Sequence, residues 1–201
     1  MRISALHADC PELLSQPPSW FPRVRALPLE WADWLFDPGS LTQRLRRKCP
    51  NHFCVHVLHQ GWARPTLDET RALGLRSNAW AWIREVRLMC GEQPWVFART
   101  LIPPATLRGR GRRLIHLGNR PLGQVLFADP RIRRGPVEIA RLVVGQKLHR
   151  RAFIGLVEPP DAIWGRRSIF WIDGHHPLLV CEIFLPALPV SPTLVNRIGC
   201  P

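Results

Sequence analysis

The sequence predicts an α+β fold built on an antiparallel sheet, in one domain that covers residues 1–201. Two segments rich in β-branched and aromatic residues are each followed, across a short polar turn, by a second such segment, which is the pattern of a β-hairpin. No long helical segment separates the paired strands, as a parallel arrangement would require. With 46% hydrophobic residues, a chain of this length can bury a core of its own.

The first part of the chain predicts an irregular segment and then two short helices. Residues 1–27 are rich in proline and lack periodicity, so we expect an irregular lead-in. Residues 29–36 and 41–45 have helical apolar spacing and are separated by an Asp-Pro-Gly sequence that breaks the helix. Ser40 stands directly before the second segment, where its side chain can cap the helix.

The strands account for most of the remaining chain. A first strand is expected over about residues 51–59, and two hairpins follow. The first hairpin joins residues 78–89 and 95–102 through a turn at 90–94, and the second joins 164–172 and 177–185 through a turn at 173–176. Between the hairpins, residues 106–127 predict loop and short helix, and 131–145 predict strand. The prolines in residues 187–201 predict an extended tail.

Composition and charge exclude several classes of protein. The longest apolar stretch, residues 177–186, is too short to cross a membrane and contains a charge. Residues 1–18 lack the pattern of a signal peptide, so we expect a cytoplasmic protein without membrane insertion. The net charge of +13 comes from 28 basic and 15 acidic residues. Its basic runs are scattered and belong to no nucleic-acid-binding motif, so no nucleic-acid partner is expected.

The six cysteines are predicted to be reduced. They lie far apart, in a chain that is large enough to need no disulfide, and we expect most of them to pack as small hydrophobic residues. Cys49 and Cys54 lie near His52, His56 and His59, a grouping that could form a metal site. Their spacing matches no common zinc pattern, and the alternation through this segment is typical of a strand, so no metal is predicted.

Three isolated charges fall on apolar strand faces. Every second residue of a strand shares a face, which places Arg84 among tryptophans and aliphatic residues and Arg99 beside Phe97 and Leu101. Glu182 is the only charge in residues 177–185. Burying an ion without compensation costs several kcal/mol. Arg84 and Glu182 therefore either form salt bridges, with each other or with neighbours, or face a cavity for a polar ligand, and three such charges favour the cavity.

Six segments, taken together in their order and spacing, also carry a family resemblance. They are WIREV at 82–86, GE and PW within 91–95, ART and a proline within 98–103, RPLG and LF within 120–127, WGRRS at 164–168 and PLLVCEIFLP at 177–186. Over roughly residues 29–189 the chain resembles the bacterial chorismate pyruvate-lyases of ubiquinone biosynthesis. The resemblance implies a six-stranded antiparallel sheet with helical flaps that enclose the active site, and no cofactor.

The resemblance also implies site residues. It places the arginine that binds the ring carboxylate at Arg84 and the glutamate that contacts the 4-hydroxyl at Glu182. Two main-chain amides that help to hold the carboxylate fall on Leu41 and Leu122, and a leucine replaces the family's methionine at the first of them. An arginine forms planar, paired hydrogen bonds with a carboxylate. Arg99 is the candidate for the pyruvyl carboxylate.

The sequence leaves open two residue roles and the structure of one segment. Arg166 and Arg167 are adjacent in a predicted strand, so at most one of them can face the cavity. Glu182 could transfer a proton or only orient the hydroxyl. Residues 142–163 are longer than the connection expected from the family, and they predict an extended hairpin or a surface loop.

The functional hypothesis is therefore a cofactor-independent carbon–oxygen lyase. It would eliminate pyruvate from chorismate to give 4-hydroxybenzoate, as a monomer, in the first committed step of ubiquinone biosynthesis. A site enclosed by flaps predicts slow product release and product inhibition. The alternative is a non-enzymatic ligand-binding module on the same sheet, like the effector domains of some transcription regulators, which are normally joined to a DNA-binding domain. Sequence physics does not distinguish the 4-hydroxy product from its 3-hydroxy isomer.

Overall fold

A computed structural model of the chain describes residues 16–22 and 27–190. Most of the predicted lead-in and most of the predicted tail therefore lie outside the described residues. The helices are α1 (Leu29–Leu35), α2 (Leu41–Lys48), α3 (Leu67–Ala72), α4 (Leu122–Ala128) and α5 (Lys147–Ala152), with a 3₁₀ helix at Gly109–His116. The strands are β1 (Phe53–Ala63), β2 (Ala81–Cys90), β3 (Gln93–Ile102), β4 (Ile132–Arg134), β5 (Glu138–Val143), β6 (Ala162–Ile172) and β7 (His176–Phe184).

The strands form one antiparallel sheet, which confirms the predicted fold class. Its order is β1-β2-β3-β7-β6-β4, and β5 also pairs with β6. Because β7 occupies one side of β6, β4 and β5 share the other side, β4 opposite residues 170–172 and β5 opposite residues 162–167. The sheet thus has seven strands where six were expected, because β4 and β5 share one position. Gly135-Pro136 interrupts the outer position, since proline cannot donate a ladder hydrogen bond.

The helices cover both faces of this sheet. The front face, which carries Val86, Val180 and Phe184, packs against α1, α2, the 3₁₀ helix and α4. The back face, which carries Ile83 and Ile183, packs against residues of α5 and the end of α3. Strand alternation thus divides the core into two layers, as a sheet with apolar residues on both sides requires.

Both predicted helices and both predicted hairpins are confirmed. Ser40 caps α2, and its Oγ accepts a hydrogen bond from the main-chain nitrogen of Gln43 at 3.4 Å. The turn of the first hairpin is tighter than expected, because β2 continues to Cys90 and β3 begins at Gln93. Gly91 within it has a φ of 57°, which favours glycine. Strand β1 continues four residues beyond the predicted end at residue 59.

Two helices were not anticipated. Thr66 and Glu69 form a capping box at the start of α3, in a segment for which no element was predicted. Helix α5 lies within residues 142–163, which were predicted as a hairpin or a loop. Among the described residues, no helix is long and apolar enough to cross a membrane, and no cluster of histidine, cysteine and acidic side chains could hold a metal.

The prediction that the cysteines are reduced is wrong for one pair. A disulfide joins Cys49, which ends α2, to Cys90, the last residue of β2, with 5.9 Å between their Cα atoms. The hydrophobic cluster under α2 brings these residues together, and their separation of 41 positions gave no local signal. Cys54 and Cys181 are free thiols. The other two cysteines lie outside the described residues.

Candidate active site

Arg84 and Glu182 project from the front face, two strands apart. Arg84 lies opposite Thr100 in the ladder, and Glu182 lies opposite Ala98, so the two occupy neighbouring rows. With strands about 4.8 Å apart and two residues spanning about 6.7 Å along a strand, their Cα atoms are roughly 12 Å apart. Both side chains line one cavity of about 40 Å³. The cavity therefore has a cation at one end and a carboxylate at the other.

Two helix N-termini form the roof of this cavity. Leu41 is the first residue of α2 and Leu122 the first residue of α4, and both side chains line the cavity. Main-chain amides in the first turn of a helix have no acceptor within the helix, so the amides of both residues are available to a ligand. The sheet side of the cavity is apolar or weakly polar and consists of Leu88, Ala98, Thr100, Phe170 and Val180.

Arg84 is a buried cation without a carboxylate partner among the described residues. It is 2% exposed. Its Nη2 donates to the carbonyl oxygens of Gly118 at 2.8 Å and Arg120 at 3.2 Å, and its Nε has no hydrogen-bond partner in the described part of the chain. Burial lowers the pKa of the Arg84 guanidinium to about 10, so the group stays protonated at neutral pH. An anion in the cavity would supply the missing countercharge.

Glu182, by contrast, is paired with its cross-strand neighbour. Arg166 lies directly opposite it on β6, and the Nε of Arg166 donates to Oε2 of Glu182 at 2.6 Å. Arg166 is 1% exposed, and its Nη1 also donates to the carbonyl oxygens of Trp34 at 2.8 Å and Asp37 at 2.9 Å. Arg166 therefore fixes Glu182 and ties it to the segment between α1 and α2. Oε1 of Glu182 makes no hydrogen bond to a described residue.

Arg166 is a site residue that the sequence left open. Alternation along β6 puts only one of two adjacent arginines on the front face, and this is Arg166, which contacts Glu182 but does not itself line the cavity. Arg167 faces the back, where its Nε donates to Oε2 of Glu138 at 2.6 Å. The signal that could have identified Arg166 is its register opposite Glu182 in the second hairpin, which follows from the turn that joins the two strands.

The structure does not bring Arg99 to this site. Arg99 faces the back of the sheet, where its Nε donates to Glu69 and its Nη1 to Glu85, both at 2.6 Å. Arg151 of α5 also donates to Glu85, from Nη2 at 2.8 Å. Burial opposes ionisation of both glutamates, but hydrogen bonds and charges from the arginines outweigh it and lower the pKa of each. Arg99 lines a separate cavity of about 500 Å³ between α3 and α5.

Residues 19–191 match the family model described as chorismate lyase. A relative from Methylococcus capsulatus, named probable chorismate pyruvate-lyase, is 47% identical over 159 residues, which cover 77% of this chain and 94% of the relative. A relative of the same name from Aromatoleum aromaticum is 44% identical over 182 residues, covering 90% and 95%. A third, also of that name, from Pseudomonas putida is 44% identical and covers 82% and 85%.

Among solved structures, the effector domain of PhnF from Mycobacterium smegmatis resembles this chain with a TM-score of 0.54. The two are 12% identical, and the match covers 76% of this chain and 93% of the other. A likeness at this level of identity concerns the fold alone.

Proposed function

The chain belongs to the chorismate lyase family, and on this basis we propose that it is a chorismate pyruvate-lyase whose active site is the cavity between Arg84 and Glu182. It would eliminate pyruvate from chorismate and leave 4-hydroxybenzoate, in the first committed step of ubiquinone biosynthesis. One observation carries the assignment of the site: a buried arginine without a carboxylate partner among the described residues and a fixed glutamate line the same small cavity. Chorismate has a ring carboxylate and a 4-hydroxyl at opposite ends of its ring.

Arg84 would bind the ring carboxylate. Its Nη2 is committed to two carbonyl oxygens, but Nε and Nη1 make no hydrogen bond to a described residue and can donate to an anion, whose charge would compensate the buried guanidinium. The amides of Leu41 and Leu122, at the first positions of α2 and α4, would donate to the same carboxylate. Ligand binding and the closure of α2 and α4 over the cavity would thus depend on each other.

Glu182 would accept a hydrogen bond from the 4-hydroxyl through Oε1. Arg166 holds Oε2 and so fixes the direction in which the free oxygen points. Two further hydrogen bonds anchor Arg166 to main-chain carbonyls of α1 and the segment after it. This arrangement would fix the ring in one orientation, which is the condition for efficient intramolecular chemistry.

The reaction itself is a redox-neutral elimination. The C–H bond at C4 and the ether bond between C3 and the enolpyruvyl oxygen break, and a C3–C4 double bond completes the aromatic ring. The enolpyruvyl group leaves with the electron pair of the ether bond and gains a proton at its methylene carbon to become pyruvate. Aromatisation supplies the driving force, so the protein's contribution would be to hold the reactive geometry and to exclude water.

Chorismate can enter only if α2 and α4, the two helical flaps over the cavity, separate. The cavity of about 40 Å³ is far smaller than the several hundred Å³ typical of small-molecule sites. The two flaps touch where Gly123 of α4 approaches Ser40 and Thr42 at the start of α2. We propose that separation of α2 from α4 admits the substrate and that the same movement limits product release, which would cause product inhibition.

Incubation with chorismate tests this function. Pyruvate and an aromatic acid should appear together in equal amounts, and chromatography should identify the acid as 4-hydroxybenzoate and not its 3-hydroxy isomer. If chorismate binds without turnover, the chain is a ligand-binding module on the same fold. If the purified protein neither binds nor converts chorismate, the proposal fails.

We further propose that the protein acts as a monomer in the cytoplasm, with chorismate as its small-molecule partner, without nucleic acid and without a cofactor. Light scattering during turnover tests the oligomeric state: activity that requires a dimer would contradict the monomer.

A further inference from the structure

The front face of the sheet carries more positive than negative charge. The described side chains that project from its strands and are buried or half-buried include three arginines, Arg84, Arg134 and Arg166, but one carboxylate, Glu182. On the back face, Arg99, Arg151 and Arg167 have carboxylate partners, whereas the buried Arg87 donates to the carbonyl oxygen of Ile154. The front face therefore has two positive charges in excess, and it is the face with the proposed active site.

Arg134 reaches this face from the short outer strand β4. It lies opposite Phe170, which lines the cavity, and its guanidinium carbon is 5.6 Å from the centre of that ring. Nε donates to Oγ of Ser168 at 3.1 Å, and Nη1 donates to the carbonyl oxygens of Asp37 at 3.3 Å and Pro38 at 3.1 Å. These contacts place the guanidinium near the pair of Arg166 and Glu182, since Nη1 of Arg166 donates to the same carbonyl oxygen of Asp37.

Arg134 retains unused binding capacity. Its Nη2 makes no hydrogen bond to a residue in the described ranges, and none of its partners is a carboxylate. Burial and then the positive charge of Arg166 lower the pKa of the Arg134 guanidinium, against the opposing effects of Glu182 and Asp37. Arg166, by contrast, is committed to Glu182 and to two main-chain carbonyls.

The second carboxylate of chorismate needs a cation on this side of the cavity. The enolpyruvyl ether is attached to C3, next to the carbon that carries the 4-hydroxyl. If Glu182 contacts the hydroxyl, the enolpyruvyl carboxylate lies on the Glu182 side of the cavity and away from Arg84. A dianion would also balance the two excess positive charges of the front face.

We propose, as an extension of the proposed lyase function, that Arg134 binds the enolpyruvyl carboxylate of chorismate and is oriented for this by Ser168. Arg134 would thus take the role that sequence analysis gave to Arg99. 4-Hydroxybenzoate lacks the enolpyruvyl group, so Arg134 distinguishes substrate from aromatic product, whereas Arg84 serves both.

The test compares Arg134→Gln with the full-length wild-type protein, using two ligands. Single-turnover experiments measure the half-saturating chorismate concentration, and calorimetry measures the dissociation constant of 4-hydroxybenzoate. Loss of one charge-assisted contact should raise the chorismate value roughly 10- to 100-fold. The dissociation constant of 4-hydroxybenzoate should change by less than about threefold, because this ligand lacks the carboxylate that Arg134 would bind. Arg134→Lys should recover part of the loss. Arg133→Gln, on the exposed neighbouring arginine that points to the other face, is the matched control.

Two outcomes would overturn the proposal. The first is an equal loss of affinity for both ligands, which would mean that Arg134 only supports the segment before α2. The second is an unchanged affinity for both. If Arg134→Gln does not fold, Ser168→Ala keeps the charge but releases the guanidinium, and it should show a smaller loss that is still selective for chorismate. A wild-type protein inactive on chorismate would refute the lyase function itself, a result distinct from a failure of Arg134.

Discussion

Arg84 and Glu182 face one cavity from strands two positions apart, and no salt bridge joins them. Glu182 is paired with Arg166, whereas Arg84 has main-chain carbonyls as its partners within the described chain. A mutual salt bridge would satisfy both charges and close the cavity to ligand. Their separation leaves a buried cation without a carboxylate partner in the described chain, at a cost in stability that the proposed binding of an anion would offset.

The first prediction separates the effect of Arg84 on ligand binding from its effect on stability. Arg84→Met removes the uncompensated charge but keeps much of the side-chain volume, so the free energy of unfolding should stay the same or rise by about 1–3 kcal/mol. The same substitution should weaken 4-hydroxybenzoate binding at least about 100-fold, since charge-assisted hydrogen bonds to its carboxylate are lost. Urea denaturation and calorimetry measure the two quantities. A clear loss of stability together with intact binding would contradict the assignment.

The second prediction concerns turnover at Glu182. Glu182→Gln keeps an acceptor oxygen but leaves Arg166 without its countercharge, so the orientation of the side chain should loosen. We expect kcat to fall at least about tenfold with a small change in product affinity, because the amide holds the 4-hydroxyl less firmly. The matched control is Glu138→Gln, which breaks the neighbouring pair with Arg167 on the back face. Equal kinetic losses in both variants would refute a specific role for Glu182.

The third prediction concerns the contact between the flaps. A Cβ at Gly123 would lie 2.8 Å from Oγ1 of Thr42 and 3.3 Å from Oγ of Ser40, so Gly123→Ala should push α4 away from α2. Stopped-flow measurements should then show faster release of 4-hydroxybenzoate, by roughly 3- to 10-fold, and weaker product inhibition, as expected where a lid limits release. Adding Thr42→Ala removes the contacting oxygen and should restore slow release. If the double variant releases product as fast as the single one, this contact does not control closure.

Strand alternation predicted the strand faces of the candidate site residues but not the residues with which they pair. It placed Arg84 and Glu182 on apolar faces, and the register of the two hairpins brought those faces together. It could not tell whether the face of Arg99 was the front or the back, because both faces of the sheet are apolar and buried. The register of the first hairpin decides it: Arg99 lies opposite Glu85, on the face away from Arg84, where Glu69 of α3, from a segment without a predicted element, also binds it.

The remaining differences also come from contacts distant in the sequence. The helix within residues 142–163 is short, and it is held by packing of Leu148 and Phe153 on the back face more than by its own propensity. The pairing of Cys49 with Cys90 depends on how α2 docks on the sheet. Local patterns predict elements and faces, whereas docking across the sheet decides which charges meet.

The fourth prediction uses the back-face ion pairs. Because the pKa values of Glu69 and Glu85 are lowered on folding, their ionisation stabilises the fold above the ordinary glutamate value of 4.5. That contribution is lost as the pH falls below this value and through the folded pKa values. Glu69→Gln should lower the free energy of unfolding at pH 7 by about 3 kcal/mol and flatten its decline in acid.

Glu92→Gln, on the exposed turn of the first hairpin, should change neither the stability nor its dependence on pH. Binding of 4-hydroxybenzoate to Glu69→Gln should stay near the wild-type value, since Glu69 and the proposed site lie on opposite faces. A large loss of binding would mean that the back-face network also shapes the active site.

The last prediction concerns the disulfide that anchors α2, the helix whose first residue is Leu41. The bond between Cys49 and Cys90 joins positions 41 residues apart, and closing a loop of that length should stabilise the fold by about 4 kcal/mol in the chain-entropy model. In an oxidised sample, reductant should therefore lower the urea midpoint, and Cys49→Ser should reproduce the effect without reductant. Cys54→Ser, at an exposed free thiol, is the control.

Because the disulfide holds the C-terminal end of α2, its loss should also loosen the flap and speed the release of 4-hydroxybenzoate. If peptide mass spectrometry finds Cys49 and Cys90 linked but stability and release do not respond to reductant, α2 is held by its apolar contacts to Val86 and Phe184 and not by the covalent bond.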